Sequence, residues 1–187
     1  MSRLGKIREA LSSPVEPQAL GKGREKLAAV MVIIHGPEPT IIMTERPKTM
    51  HHHAGEISFP GGTWQQNDVD MLETAVRETG EEIGVTIERD RIIGQLRTVN
   101  TLNSGFAIYP FVAVEEESPR IKPNSEIESV LRIPLIPLLK TLEDDKDPAH
   151  QSIMEMYTFK FQRHLIWGAS ARMLHQIYAS LSSNSLI

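Results

Sequence analysis

An unbroken apolar run, LAAVMVII at residues 27–34, is closed by the glycine and two prolines of HGPEPT. TIIMTE follows at 40–45, so the pair predicts two strands joined as a hairpin. Further strands are predicted at 92–99, 106–114 and 153–161. The continuous apolar stretch of the second implies burial on both faces, whereas the other two alternate. Residues 125–139, SEIESVLRIPLIPLL, hold one strand and then a short helix begun by proline. Helices are predicted at 3–11, from Asp70 to Gly84, and at 167–181. Strands and helices mix without strict βαβ alternation. This predicts an α/β class (α+β mixed), with a mixed β-sheet sandwiched between helices. The organisation expected is an N-terminal arm at 1–24, one domain at 25–182 and a short tail at 183–187.

The best-defined helix carries the first chemical signal. Asp70 can cap it, Glu73 stands three residues on as in a capping box, and Gly84 is placed to stop it in the left-handed conformation. Leu72, Val76, Thr79 and Ile83 form the apolar stripe, with Ala75 beside it. Glu82 lies nearest the flank of that stripe, Glu78 next and Glu81 furthest out. Together they span a sector of about 100°. Glu78 and Glu82 stand at i and i+4, where like charges repel by a few tenths of a kcal/mol. The trio is therefore either a solvated acidic face or a site for a divalent cation, for which carboxylate oxygens suit Mg2+ or Mn2+.

Composition narrows the class. The 187 residues are 40% hydrophobic and 24% charged, with 20 basic against 24 acidic residues and a formal charge of −4. A chain of this balance has no broad polyanion-binding face, so nucleic acid is not an expected partner. Cysteine is absent, which excludes disulfides and thiolate metal sites. No apolar run approaches the length of a membrane span. The first 26 residues lack the apolar centre of a secretory signal, and a cytoplasmic location is expected. Their basic and apolar character leaves an organellar presequence as the minor alternative. Oligomeric state is not fixed by the sequence.

Arg77-Glu78-Thr79-Gly80-Glu81-Glu82-Ile83-Gly84-Val85 resembles the core of the Nudix box, R-E-U-x-E-E-x-G-U, where U is a bulky aliphatic residue. The full pattern is G-x5-E-x7-R-E-U-x-E-E-x-G-U. Thr79 departs from it at the first U position, Val69 stands where the pattern has a glutamate, and the spacing from Gly62 to Arg77 is one residue longer. The longer spacing is found in the coenzyme A pyrophosphohydrolase branch. IMTERPKTMHHHAGEISFPGG at 42–62 is similar to that branch's upstream segment, matching it at Thr44, Arg46, His53, Gly55, Ser58, Phe59, Pro60, Gly61 and Gly62. Pro47, Met50 and Gln65 depart from it, while Asp68 fits its second acidic position. Stretches at 103–112, 124–135 and 164–174 resemble the branch as well.

The resemblance implies a Nudix-type α/β/α sandwich that hydrolyses a diphosphate linkage with Mg2+ or Mn2+. Its branch implies coenzyme A as the small-molecule substrate, cleaved to 3′,5′-ADP and 4′-phosphopantetheine. ADP-ribose, a dinucleotide or a nucleoside triphosphate is the alternative within the class, and a non-cleaving nucleotide sensor the alternative outside it. Residue by residue, Glu78, Glu81 and Glu82 are implied metal ligands. Glu78 is also a proton acceptor, and Arg77 orients a glutamate, with Glu81 as its i+4 neighbour. Gly61 and Gly62 permit close backbone approach. Glu126 is the candidate for a carboxylate outside the box that activates water, a surface glutamate at a strand start being the other reading. Arg46 is the first candidate for a phosphate contact, ahead of Lys48 and Arg97. His51, His52 and His53, adjacent in a loop, do not have the spacing of converging metal ligands.

Overall fold

The structure is a computed structural model and describes residues 1–18, 26–48, 55–101, 104–146 and 156–187. Its centre is β1 (Lys26–His35), whose side chains divide between two buried clusters. Ala29, Met31 and Ile33 face one side, and Val30, Val32 and Ile34 the other. A strand apolar on both faces needs a layer on each side. The helix α2 (Met71–Ile83) covers the first face, while α1 (Arg3–Leu11), α3 (Leu135–Leu139) and α4 (Gly168–Ser183) cover the second. The expected α/β/α sandwich results.

The sheet is mixed. Strand β7 (Phe106–Glu115) runs parallel to β1 along its whole length, from Lys26↔Phe106 to His35↔Glu115. It is buried on both faces as its sequence predicts: Val112 and Val114 join one cluster, Phe111 and Ala113 the other. The remaining members are β2 (Thr40–Glu45), β3 (Ile57–Ser58), β4 (Gly61–Thr63), β5 (Ile92–Gln95), β6 (Val99–Asn100) and β8 (Ser129–Pro134). A separate small sheet holds β9 (Glu143–Asp144), β10 (Tyr157–Phe161) and β11 (His164–Ile166).

Three expectations change. The hairpin of β1 and β2 is closed only at Ile34↔Ile41 and His35↔Thr40. On its other edge β2 pairs β8 along its whole length, from Thr40↔Pro134 to Glu45↔Ser129, and β4 occupies the vacated edge of β1 at Ala28, Ala29 and Val30. The long loop at 46–62 thus contributes two short strands, β3 and β4. The predicted strand at 92–99 is interrupted into β5 and β6, and β5 pairs β7 with a bulge between Ile92 and Gly94. Of the strand expected at 153–161, residues 153–155 lie outside the described residues, as do His51, His52 and His53.

Helix α1, within the expected N-terminal arm, packs on the core. Leu4, Ile7 and Leu11 are buried in the cluster that holds α4. Arg8 Nη2 donates to the Val114 carbonyl at 2.6 Å, and Ser180 Oγ on α4 donates to the Ala10 carbonyl at 2.6 Å. Burying three aliphatic side chains contributes about 1.5–3 kcal/mol each. Among the described residues no helix is long and apolar enough to cross a membrane.

Candidate active site on helix α2

Local chemistry fixes the ends of α2. Asp70 accepts a hydrogen bond from the Glu73 N–H at 2.8 Å, and Gly84 ends the helix with φ +67°. Glu73 reaches back to the Val69 N–H rather than to that of Asp70, so the capping box is displaced by one residue. Arg89 Nη2 lies 2.6 Å from Asp70, which further secures the start.

Between these ends the three glutamates part company. Glu82, expected on the flank of the apolar stripe, is 3% exposed. Its Oε2 accepts the Gly61 N–H at 3.0 Å, and Arg46 Nη2 lies 3.9 Å from its Oε1. Burial pushes its carboxyl up to about 7, against the Gly61 N–H and Arg46, which draw it down, while Glu78 and Glu126 raise it further. Glu78 is mostly buried and accepts from Arg77 Nη1 at 2.8 Å. Glu81 is the outer member, with its side chain 56% exposed.

The double glycine is required by contact. A Cβ on Gly62 would lie 2.5 Å from the Glu78 carboxyl group, and one on Gly61 2.2 Å from the Ala29 carbonyl oxygen. Gly61 also has φ +152°. Strand β4 therefore lies directly between β1 and the glutamates, which it can do because β1 and β2 diverge.

Arg77 holds a partner that helix spacing did not suggest. Its Nε and Nη2 donate to the two carboxylate oxygens of Asp68 at 2.8 and 2.9 Å, and Nη2 also reaches the Thr63 carbonyl at 3.1 Å. Glu81, the expected i+4 partner, is the more distant contact at 3.4 Å. The hydrogen bond from Arg77 holds the Asp68 carboxyl down at about 2. In turn, the Asp68 bond raises the Arg77 guanidinium above its ordinary value. The signal for Asp68 was present in the sequence as an acid beside the missing box glutamate, with one extra residue before the arginine.

Glu126 is brought to the site by the loop ahead of β8. Lys122 N–H donates to the Ile83 carbonyl at 2.8 Å and Asn124 N–H to the Glu82 carbonyl at 2.9 Å, capping the C-terminal turn of α2. Asn124 Oδ1 then accepts the Glu126 N–H at 2.8 Å. The Glu126 carboxylate is close enough to raise the Glu82 carboxyl. Arg97 lies elsewhere: its backbone is tied in both directions to Gln176 on α4. Trp167 is 42% exposed and borders a cavity of about 510 Å³ with Asp144, Thr158 and Leu165. None of the carboxylates of α2 lines that cavity.

Among the described residues, no three acidic or histidine side chains converge tightly enough to cage a metal ion as they stand. Glu78 and Glu81 both lean on Arg77. The donor set nevertheless suits a divalent cation. A buried carboxylate with a raised pKa has two further carboxylates beside it, and all the donors are hard oxygens. Such a cation would compete with Arg77 for Glu78 and Glu81.

A NUDIX domain model matches residues 25–157. NudL of Photorhabdus laumondii subsp. laumondii, an uncharacterized Nudix hydrolase, is 30% identical over 172 residues, covering 89% of this chain and 90% of that relative. Its namesake in Pectobacterium atrosepticum is 31% identical over 164 residues, covering 85% and 84%. A MutT/nudix family protein from Enterococcus faecalis has a similar fold, with a TM-score of 0.63 at 15% identity over 89% of this chain and 66% of that one. The NUDIX domain of Shewanella oneidensis NrtR, solved with ADP ribose, aligns with a TM-score of 0.52 at 18% identity, covering 62% of this chain and 77% of that one. With its box laid along α2 and its glycines packed against the glutamates, the chain belongs to the Nudix family, as a hydrolase of pyrophosphate bonds.

Proposed function

We propose that this hydrolase cleaves the diphosphate of coenzyme A, or of its derivatives, to 3′,5′-ADP and 4′-phosphopantetheine in the cytoplasm, with Mg2+ or Mn2+. The observation that carries this reading joins sequence to geometry. The upstream segment that resembles the coenzyme A branch contains Arg46, Gly61 and Gly62, and all three pack against the glutamates of α2. The segment that marks the branch is thus part of the wall of the site.

Glu78, Glu81 and Glu82 hold the cation in this reading, with the backbone at Gly61 and Gly62 alongside. When bound there, such a cation would supply charge neutralisation for the diphosphate and for the leaving phosphate. The protein groups do the rest. Arg77 holds Glu78 against β4, and Arg46 presents positive charge at the cleft edge for a substrate phosphate. Glu78 or Glu126 accepts the proton of the attacking water. Both lie beside Glu82, the group on which their charges act.

A substrate panel in 18O-water, with the products identified, tests the proposal. Release of 3′,5′-ADP from coenzyme A is expected, and the position of 18O identifies the phosphorus attacked. ADP-ribose is the comparison substrate, since the NrtR domain was solved with it. Preference for ADP-ribose over coenzyme A would overturn the substrate assignment and leave the hydrolase class intact.

A further inference from the structure

The small sheet turns one face to the core and the other outward. Phe159 and Ile166, paired across β10 and β11, are fully buried in the cluster that holds α4. Strand alternation therefore directs Thr158, Lys160 and Leu165 outward, and Trp167 with them, since its backbone is still extended. Glu143 of β9 stands opposite Thr158 in the pairing of β9 with β10. This outer face forms one wall of the cavity of about 510 Å³, and Asp144, Asp145 and Lys146 complete the lining. The volume falls in the range of small-molecule sites, about 300–1,000 Å³. Thr158 is the unusual member. It points away from the core yet is 8% exposed, and its hydroxyl has no hydrogen-bond partner among the described residues. Buried hydroxyls ordinarily find a partner, so this one offers a donor and an acceptor to whatever fills the cavity.

We propose that this cavity is a binding site for a primary alkylammonium ion, separate from the site on α2. Its lining holds three carboxylates, Glu143, Asp144 and Asp145, and one lysine, Lys146. Lys160 Nζ lies 2.9 Å from Glu143, and counting it as well still leaves three negative charges against two positive. A cation is thus preferred to an anion. Leu165 and Trp167 set the body of the ligand, being large, apolar and about half exposed on the same wall. A methylene chain laid on them takes apolar surface out of water, and the indole face attracts an ammonium group close to it. That group carries donors and no acceptor, which suits the Thr158 oxygen and the carboxylates. A quaternary ammonium ion has no N–H to give Thr158, and it is recognised by cages of several aromatic rings, whereas this lining has one. The inference rests neither on the hydrolase assignment nor on coenzyme A as substrate.

The full chain carrying Trp64→Phe tests it, because the sequence has two tryptophans and this variant leaves Trp167 as the one indole fluorophore. The probe is n-butylammonium at neutral pH and constant ionic strength, with 1-butanol and butyrate as neutral and anionic probes of similar length. A saturable change in Trp167 fluorescence is expected with butylammonium, at an affinity at least about tenfold above that of either control. Thr158→Val keeps the shape and strand preference of the residue and should weaken butylammonium about tenfold. Asp144→Asn should weaken it about 2–5-fold, as for an exposed charge. Equal affinity for 1-butanol or butyrate, no saturation, or full affinity in Thr158→Val would overturn the proposal. If Thr158→Val does not fold, amide and indole NMR shifts of the wild-type protein decide. Shifts centred on Thr158, Leu165 and Trp167 support the site, and shifts centred on the glutamates of α2 assign the cation there and refute it. Should no diphosphate be hydrolysed, the functional reading fails while these measurements still decide the cavity.

Discussion

Replacing Glu82 by Gln should make the metal-free protein more stable and the enzyme nearly inactive. In the native fold the Glu82 carboxyl is carried from 4.5 to about 7, chiefly by burial. At about 1.4 kcal/mol per pH unit, holding it ionised costs the folded state about 3 kcal/mol above pH 7. Because the folded pKa is the higher one, the native state binds the extra proton. Stability from this group is fully present below pH 4.5 and is lost as pH rises through 7. Glutamine resembles the protonated acid and can still accept the Gly61 N–H, so the variant escapes that loss. For a chain of this size about 3 kcal/mol corresponds to about 6–12 °C in melting temperature. The assay is calorimetry of both proteins in EDTA from pH 4 to 9, where the curves should meet near pH 4.5 and separate up to pH 7. Saturating Mg2+ should narrow the gap by stabilising only the wild type. Activity should fall more than about 100-fold, beyond the range of residues that only orient a ligand. Equal melting at pH 8 in EDTA would refute the desolvation argument, and retained activity would refute Glu82 as a metal ligand.

Gly62→Ala should cost activity more than stability, since its Cβ meets the movable Glu78 carboxyl, whereas Gly61→Ala meets backbone and should destabilise by at least about 2 kcal/mol. Denaturant melts beside kcat separate the two effects. His35 is 5% exposed, both ring nitrogens are without hydrogen-bond partners among the described residues, and burial followed by Arg132 lowers its pKa. The unfolded chain therefore takes up the proton first, and stability should fall as pH drops below 6.5; in His35→Leu the urea midpoint should lose that slope. Ile7→Ala should destabilise by about 2–5 kcal/mol in the same melts, because Ile7 is fully buried between α1 and the core. A near-zero effect there would make α1 a dispensable arm.

What the sequence determined by itself was whatever a few neighbouring residues settle among themselves. The cap at Asp70, the stop at Gly84 and the spacing of the glutamates are satisfied within α2 or next to it, so they were legible along the chain. So was the burial of β7 on both faces, which its unbroken apolar run requires. The tertiary structure alone decided which glutamate is dry. Helical angles put Glu82 beside the apolar stripe, but the burial that raises its pKa comes from the segments that fold over it, β4 and the end of β2, whose Gly61 N–H and Arg46 draw that pKa back down. The opening between β1 and β2 that admits β4, and the choice of Asp68 over Glu81 by Arg77, are likewise contacts between segments distant in space until folding. Periodicity reports which face of an element is apolar, whereas desolvation and ion pairing depend on what packs against that face.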